Sequence, residues 1–196
     1  MSSDDKRFIA KKSLEKLRMT IIELFSEGLY HEVGIREICK RAKVSPHTIY
    51  KYFGSKEELL YATIKEDMDL LTESLISSAS AKETLEEKIV VFVETFFSFY
   101  YENPAIAKIV FLNIPASYWV DETKFIQRGY HDYIRDLITQ GQEVGLIQPL
   151  DPQILMEIIM GGASRLIVKW LIDPESMEYQ KTVDTVLSVI QQSMLK

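Results

Sequence analysis

A short stretch of the chain, VSPHTIYKYFGSK (residues 44–56), gathers side chains that suit contact with phosphates and base edges. It holds an imidazole at His47, an ammonium group at Lys51, and phenols at Tyr50 and Tyr52. If the part between the proline and the glycine is helical, His47 and Lys51 are four residues apart and share one face. The alternative is a solvated polar face that binds nothing.

A helix of this length must be held by packing, because isolated helices shorter than about 12–15 residues are marginal in water. Ile49 and Phe53 are four residues apart, so we assign both to the hydrophobic core. The opposite side of the helix then projects its hydroxyl, imidazole and ammonium groups outwards.

The segment just upstream, GIREICKRAKV (residues 34–44), has the pattern of a second short helix. Its apolar positions, Ile35, Ile38 and Ala42, recur at helical spacing. Two short helices joined by a turn of about three residues predict a helix-turn-helix. In that motif the second helix enters the major groove of DNA and the first crosses the backbone.

Signals for the start of a helix recur along the rest of the chain and predict an all-α fold. A good N-cap residue precedes a proline at Ser45, Asn103, Asp151 and Asp173, and SKEE at Ser55 has the spacing of a capping box. The run IVVFV has the composition of a buried strand, but its apolar stripe continues past strand length and favours a helix. The predicted helices span approximately residues 6–28, 35–42, 46–53, 55–79, 83–102, 104–112, 121–144, 152–172 and 175–194.

The charge is unevenly divided along the chain, whose net charge is −6. Residues 1–60 carry 12 Lys and Arg against 9 Asp and Glu, whereas residues 61–196 carry 11 against 20. This split indicates a weakly basic head on an acidic body, or a chance fluctuation. We place a domain boundary at the end of the predicted helix-turn-helix, with a DNA-binding domain at 1–54 and a second domain at 55–196.

Cysteine usage and hydropathy point to a cytoplasmic protein. A single cysteine, Cys39, excludes a disulfide within the chain and fits a reducing compartment. The opening MSSDDKR lacks the apolar region of a secretory signal. Charged residues at Glu157, Arg165 and Lys169 interrupt the most apolar long stretch, so we expect no membrane span.

Residues 8–60 resemble the DNA-binding domain of the tetracycline-repressor-like (TetR) family of transcription regulators. The resemblance is carried by LFSEGLY, IREICKRAKVS and TIYKYFGSKEELL. It implies a homodimer that places its two heads in successive major grooves. The contact positions that it implies are Arg36, Ser45, Pro46, His47, Thr48, Tyr50, Lys51, Tyr52 and Lys56.

Side-chain chemistry divides these contact positions into two roles. We expect His47 and Arg36 to read base edges, and Thr48, Tyr50, Tyr52 and Lys56 mainly to hold phosphates. 

Three residues depart from the family pattern. Gly34 replaces a Thr or Ser, which removes one hydroxyl that would bind phosphate, and His47 replaces a residue that is often small. Lys43 stands where the turn usually has glycine. A left-handed backbone there would cost about 1–2 kcal/mol.

The helices from residue 83 to 144 carry a dense set of aromatic residues, for which core packing is the plain explanation. The set is Phe92, Phe96, Phe97, Phe99, Tyr100, Phe111, Tyr118, Trp119, Phe125 and Tyr130. The family resemblance implies an effector pocket among these helices, and an apolar pocket with a few polar groups is the usual form of a small-molecule site. Our candidates for contacts with a mostly hydrophobic effector are Phe96, Tyr100, Phe111, Tyr130 and Met160.

The last two predicted helices are the candidate dimer interface. Gly161 and Gly162 lie in the middle of the first of them, where each glycine costs about 1 kcal/mol relative to alanine. Close approach of another helix would explain them, and that helix belongs either to a partner subunit or to the same chain.

Catalytic and metal-binding signatures are absent from the sequence. The histidines are scattered, and we interpret YHDYIRD around His131 as a solvated face rather than a pocket wall. We therefore predict no enzyme, no metal and no cofactor. The favoured function is a ligand-responsive repressor that binds a palindromic DNA operator. The alternative is a helical docking module whose basic face binds an acidic protein.

Overall fold

The computed structural model describes residues 11–114 and 127–193, and within these ranges the regular elements are helical. The all-α prediction is confirmed. The α-helices are α1 (Lys11–Glu27), α2 (Ile35–Ala42), α3 (Pro46–Phe53), α4 (Lys56–Ser80), α5 (Leu85–Glu102), α6 (Pro104–Lys108), α7 (Arg128–Glu143), α8 (Pro152–Ile172) and α9 (Tyr179–Ser193). A π-helical turn, Ile109–Asn113, continues α6, and a 3₁₀ turn, Pro174–Ser176, precedes α9.

We predicted that each of the four N-cap residues followed by proline starts a helix, and two of them, Asn103 and Asp173, differ from this prediction. Asn103 makes no cap bond with its side chain, and its amide instead donates to the Phe99 carbonyl at 2.8 Å. Asp173 also makes no cap bond, and the proline after it opens only the 3₁₀ turn, so the last helix begins at Tyr179 rather than at 175. Ser45 and Asp151 do cap their helices. A cap residue followed by proline is therefore not sufficient to predict the start and the length of the helix after it.

Some predictions fall outside the described residues. They are the beginning of the first helix before residue 11, the beginning of the predicted helix 121–144, and the aromatic residues Tyr118, Trp119 and Phe125.

The N-terminal head is built from α1, α2 and α3 around a small apolar centre. Leu17, Ile21 and Phe25 supply the inner face of α1, and Ile38 on α2 is fully buried against them. Leu14 lies about one turn before this packed part of α1 and is 45% exposed.

Helix α4 joins the head to the body. Its N-terminal end contacts α3, and its length packs against α5 and α7. Arg18 on α1 reaches Asp67 on α4 with a 2.5 Å contact between Nη2 and Oδ1. The buried residues of head and body form one continuous cluster, so the two parts share a core. The domain boundary at residue 54 remains a prediction.

The body consists of α5 to α9 packed with α4. The run IVVFV lies within α5, which confirms the helical interpretation of that stretch. Among the residues that the structure describes, no helix is long and apolar enough to cross a membrane.

Candidate nucleic-acid interface and effector cavity

Helix α3 is held at its start, centre and end. The Ser45 hydroxyl accepts the Thr48 backbone N–H at 3.0 Å and lies 2.8 Å from the Thr48 hydroxyl. Ile49 is fully buried, and Phe53 is half-buried against the same core. Gly54 ends the helix with φ 80°, a conformation that glycine adopts without strain. These contacts fix which side of the helix faces outwards.

The outward side of α3 carries most of the predicted DNA contacts. Pro46, His47 and Lys51 are exposed, and Tyr50 exposes 53% of its surface. Tyr52 on the same helix is 36% exposed, so both tyrosines are accessible from outside. The prediction that α3 turns an apolar side inwards and its polar side outwards is therefore confirmed; what these side chains bind is not tested by this geometry.

One of the basic residues of α2, Arg41, is already paired with carboxylates within the protein. Arg41 donates to Glu37 at 2.7 Å and to Glu23 at 3.0 Å, and the hydrogen bond to Glu37 is the main cause of its raised pKa. Arg36 is exposed. Gly34 caps α2 with an extended backbone, and no side chain satisfies the first turn. Arg36 is thus the better placed of these two arginines to meet DNA.

The turn between α2 and α3 contains the strained backbone that the sequence suggested. Lys43 has φ 58° and ψ 42°, and its N–H donates to the Cys39 carbonyl as the C-cap of α2. It is the one non-glycine residue with positive φ in the ranges described. The exposed ammonium group extends the basic surface beside α3.

The ammonium group of Lys56 lies in a different environment from the open phosphate site we predicted. It donates to the Tyr30 carbonyl at 2.7 Å and to the Val33 carbonyl at 3.0 Å, and it lies 4.1 Å from the centre of the Tyr30 ring. Burial lowers its pKa. Two of its three N–H donors are thus used within the protein, which leaves one for a phosphate.

Four of the five predicted effector contacts meet in the body. The Tyr100 ring lies 5.1 Å from the Phe96 ring and 4.8 Å from the Phe111 ring, and the Phe96 and Tyr130 rings are 5.8 Å apart. We call these four residues the aromatic cluster. Met160 is buried on α8 within the same core.

The centre of the aromatic cluster contains buried hydroxyl groups. The Tyr100 and Tyr130 hydroxyls are 3.4 Å apart, and the Tyr100 hydroxyl donates to the Met68 sulfur at 3.6 Å. Burial raises the pKa of Tyr100 to about 12 and that of Tyr130 well above its usual value. Gln127 acts in the opposite direction and lowers the pKa of both phenols in part. These groups provide polar partners inside an otherwise apolar region.

An apolar cavity next to the aromatic cluster was missed by the sequence analysis. It has a volume of about 20 Å³ and lies between α5, α7, α8 and α9. Its lining includes Phe92 on α5, Ile134 on α7, Leu155 on α8 and Ile190 on α9. Helical spacing in the sequence indicates which apolar side chains of each helix face inwards. It does not indicate that those of the four helices lie around a common cavity.

His131 is half-buried on α7 and its ring centre lies 5.1 Å from that of Tyr130. Burial lowers its pKa to about 4, and Asp132 opposes this shift only in part. The interpretation of this segment as a solvated face rather than a pocket wall is therefore wrong at His131. Its imidazole stays neutral at neutral pH and borders the aromatic cluster.

Within residues 11–114 and 127–193, no three His, Cys, Asp or Glu side chains come together as metal ligands. 

Comparisons with known proteins agree with this architecture. Residues 20–63 match the family described as bacterial regulatory proteins, tetR family, and residues 64–193 match the YsiA-like protein, C-terminal region. The fatty acid metabolism regulator protein of Bacillus subtilis (strain 168) is 26% identical over 172 residues, which cover 86% of this chain and 89% of that protein.

Solved structures share the fold along nearly the whole chain. The fatty acid degradation regulator FadR from Bacillus halodurans has a TM-score of 0.81 and 20% identity, covering 95% of this chain and 98% of that one. FadR from Bacillus subtilis in complex with stearoyl-CoA has a TM-score of 0.77 and 23% identity, covering 90% and 96%. The matches to both halves, together with the exposed face of α3, identify this chain as a member of the TetR family of transcription regulators, which are DNA-binding proteins and not enzymes.

Proposed function

We propose that this regulator is a repressor that binds a palindromic operator as a homodimer and is released by a mostly hydrophobic small molecule. The observation that carries the DNA-binding part is the exposed side of α3, opposite the buried Ile49. His47 and Arg36 read base edges in this proposal. Phosphates are held by Ser45, Thr48, Tyr50, Lys51, Tyr52 and Lys56, and Pro46 packs against the backbone. The protein acts in the cytoplasm, where the DNA lies.

The dimer forms through α8 and α9 in this proposal. Along α8, exposed positions recur at helical spacing, and they include Ile154 at 59%, Ile158 at 61%, and both Gly161 and Gly162. Outside α8 itself, no atom of the described residues lies within 4 Å of a Cβ built on either glycine, so packing within that part of the chain does not account for them. A partner helix does, because glycine allows two helix backbones to come close. On α9, Val189 is 54% exposed.

The effector occupies the aromatic cluster and the apolar cavity beside it. Both share α5 and α7, and the cavity is lined by apolar side chains, whereas the cluster offers the Tyr100 and Tyr130 hydroxyls. In this proposal the apolar cavity holds the long apolar part of a molecule, and the hydroxyl groups of the aromatic cluster contact its polar end. The FadR structure from Bacillus subtilis contains stearoyl-CoA, a molecule of that kind. We propose an acyl thioester of coenzyme A as the effector class.

The cavity must widen before it can hold an acyl chain. Its volume of about 20 Å³ is little more than the roughly 10–15 Å³ that a single water molecule needs, so an acyl chain does not fit without movement. Effector binding therefore separates side chains of α5 and α7 from those of α8 and α9. In this proposal that movement swings α4 and changes the spacing of the two heads, which must match half-sites about 34–36 Å apart or a multiple.

Selection of bound duplexes from a random pool, followed by sequencing, tests the DNA-binding part. The expected result is a palindromic consensus that the protein binds far more tightly than random duplex. Weak and uniform attraction to all duplexes would instead favour the docking module. Addition of stearoyl-CoA to the complex with the selected duplex tests release, with unacylated coenzyme A as the control. Release by both compounds, or by neither, would contradict the proposed effector.

A further inference from the structure

The loop between α1 and α2 is held from two sides at Tyr30. Its N–H donates to the Asn113 carbonyl at 3.0 Å, and its carbonyl accepts the Lys56 ammonium at 2.7 Å. Asn113 belongs to the body, whereas Lys56 begins α4. A single residue of the head is thus bonded to two separate elements outside it. We call Asn113, Tyr30 and Lys56 the Tyr30 clamp.

Asn113 also caps the end of α1. Its side-chain amide donates to the Phe25 carbonyl at 2.9 Å and to the Ser26 carbonyl at 3.0 Å. These carbonyls belong to the last turn of α1, where acceptors lack partners within the helix. Asn113 therefore makes three hydrogen bonds to the head through its amide group and its backbone carbonyl.

On its other side, Asn113 is two residues from the aromatic cluster. Phe111 lies in the same π-helical turn, and its ring is 4.8 Å from that of Tyr100. π-Helical turns are rare and are frequently found at functional sites. Because Phe111 and Asn113 share one short turn, a shift of the backbone at Phe111 would also move the amide group that caps α1.

Lys56 connects the start of α4 with the residues just before α2. Besides Tyr30, it bonds the carbonyl of Val33, a buried residue that directly precedes the N-cap of α2. The ammonium group therefore holds the loop and the start of the helix-turn-helix against α4. The lowered pKa of Lys56, caused by burial, agrees with an enclosed position.

From these contacts we propose that Asn113 and Lys56 are positioning residues of the DNA-binding head, and that the Tyr30 clamp transmits occupancy of the aromatic cluster to α2 and α3. This inference rests on the proposed function. It assigns to Lys56 a role inside the protein in addition to the phosphate contact expected from its position.

A matched control exists elsewhere in the same chain. The Gln142 side-chain amide donates to the carbonyls of Gln148 at 2.8 Å and Leu150 at 2.6 Å, in the loop between α7 and α8. Asn113→Ala and Gln142→Ala each remove one amide group that holds two backbone carbonyls. Their losses of stability should be similar, but only Asn113→Ala frees α1 from the residue whose backbone carbonyl, unchanged by the substitution, accepts the Tyr30 N–H.

The experiment uses the full-length protein, the selected duplex and stearoyl-CoA as the probe. The measured quantity is the ratio of duplex dissociation constants with and without saturating stearoyl-CoA. For the wild type and Gln142→Ala we expect a ratio of at least about 5, within the usual range of allosteric coupling. For Asn113→Ala we expect the ratio to fall at least threefold. Equal ratios in the two variants would overturn the proposal.

Lys56 variants provide a second measurement if Asn113→Ala folds poorly. Lys56→Met keeps the stem but loses the ammonium group, and Lys56→Arg restores the charge and the donors. Coupling should fall in Lys56→Met and recover at least in part in Lys56→Arg. Wild-type coupling in Lys56→Met would contradict the role of this residue.

Hydrogen exchange separates failure of the clamp from failure of the proposed function. Asn113→Ala should increase exchange at the Tyr30 amide and in α2, whereas Gln142→Ala should not. If the wild type does not bind the duplex or does not respond to stearoyl-CoA, the proposed function fails in that part. In that case the exchange data alone decide whether the clamp orders the head, and unchanged exchange in Asn113→Ala overturns it.

Discussion

Replacement of Lys43 by glycine should stabilise the protein while weakening its attraction to DNA. Lys43 has φ 58°, a conformation that costs about 1–2 kcal/mol for a residue with a Cβ. Glycine removes that cost. Its greater conformational freedom, however, stabilises the unfolded chain by about 0.4–1 kcal/mol. The difference leaves Lys43→Gly more stable by roughly 0.5–1 kcal/mol, or about 1–4 °C in Tm for a chain of this size. The lost ammonium group should lower the salt slope of DNA binding by about 0.9 if it neutralises one phosphate.

Urea unfolding followed by circular dichroism measures the first effect, with Lys43→Ala as the control. Alanine removes the same charge but keeps a Cβ in the left-handed conformation, so it should be no more stable than the wild type. The salt dependence of duplex binding should fall equally in the two variants. The reasoning about backbone strain is refuted if Lys43→Gly is no more stable than Lys43→Ala.

Three further changes test other parts of the molecule. His47→Ala should cost about 1–3 kcal/mol of duplex binding and relax preference at one base pair; an equal loss on all sequences in a binding-site selection would count against base reading. His131 has a folded pKa of about 4 against about 6.5 unfolded, so the unfolded state binds more protons between these values and stability falls on acidification. Between pH 7 and 4.5 the wild type should lose about 2 kcal/mol more than His131→Gln in urea unfolding, and equal losses would contradict the buried imidazole. Gly162→Leu should shift sedimentation towards monomer, although leucine favours a helix more than glycine does. Gly162→Ala should remain closer to the wild type. If both variants sediment as dimers, the interface does not include Gly162.

Features governed by neighbouring residues could be predicted from the sequence. The bounds predicted for α2 and α3 match the structure, because the Ser45 cap and the terminal Gly54 act within a few residues. The inward direction of Ile49 followed from helical spacing alone. The aromatic residues of α5 were predicted as a set, and four of the five effector candidates lie together.

Features that depend on distant parts of the chain could not be predicted in this way. Lys56 bonds residues 23 and 26 positions earlier, and Asn113 bonds a carbonyl 88 positions earlier. Nothing in the spacing around Lys56 indicates that two of its donors are already used. A lysine at a helix N-terminus looks the same in sequence whether it meets a phosphate or a carbonyl.

The aromatic cluster touches two elements that lead to the head, and their chemistry suggests different tasks. The contact between Tyr100 and Met68 on α4 is a weak bond to a thioether in an apolar setting, where side chains can slide while burial stays nearly constant. The bonds from Asn113 to α1 are directional, and a shift of about 1 Å breaks them. Apolar packing can therefore adapt to an effector, whereas the polar bonds respond in a nearly all-or-none manner. In the proposed function, the apolar contacts would accommodate effectors of different length, and the directional bonds would make release of the operator sharp.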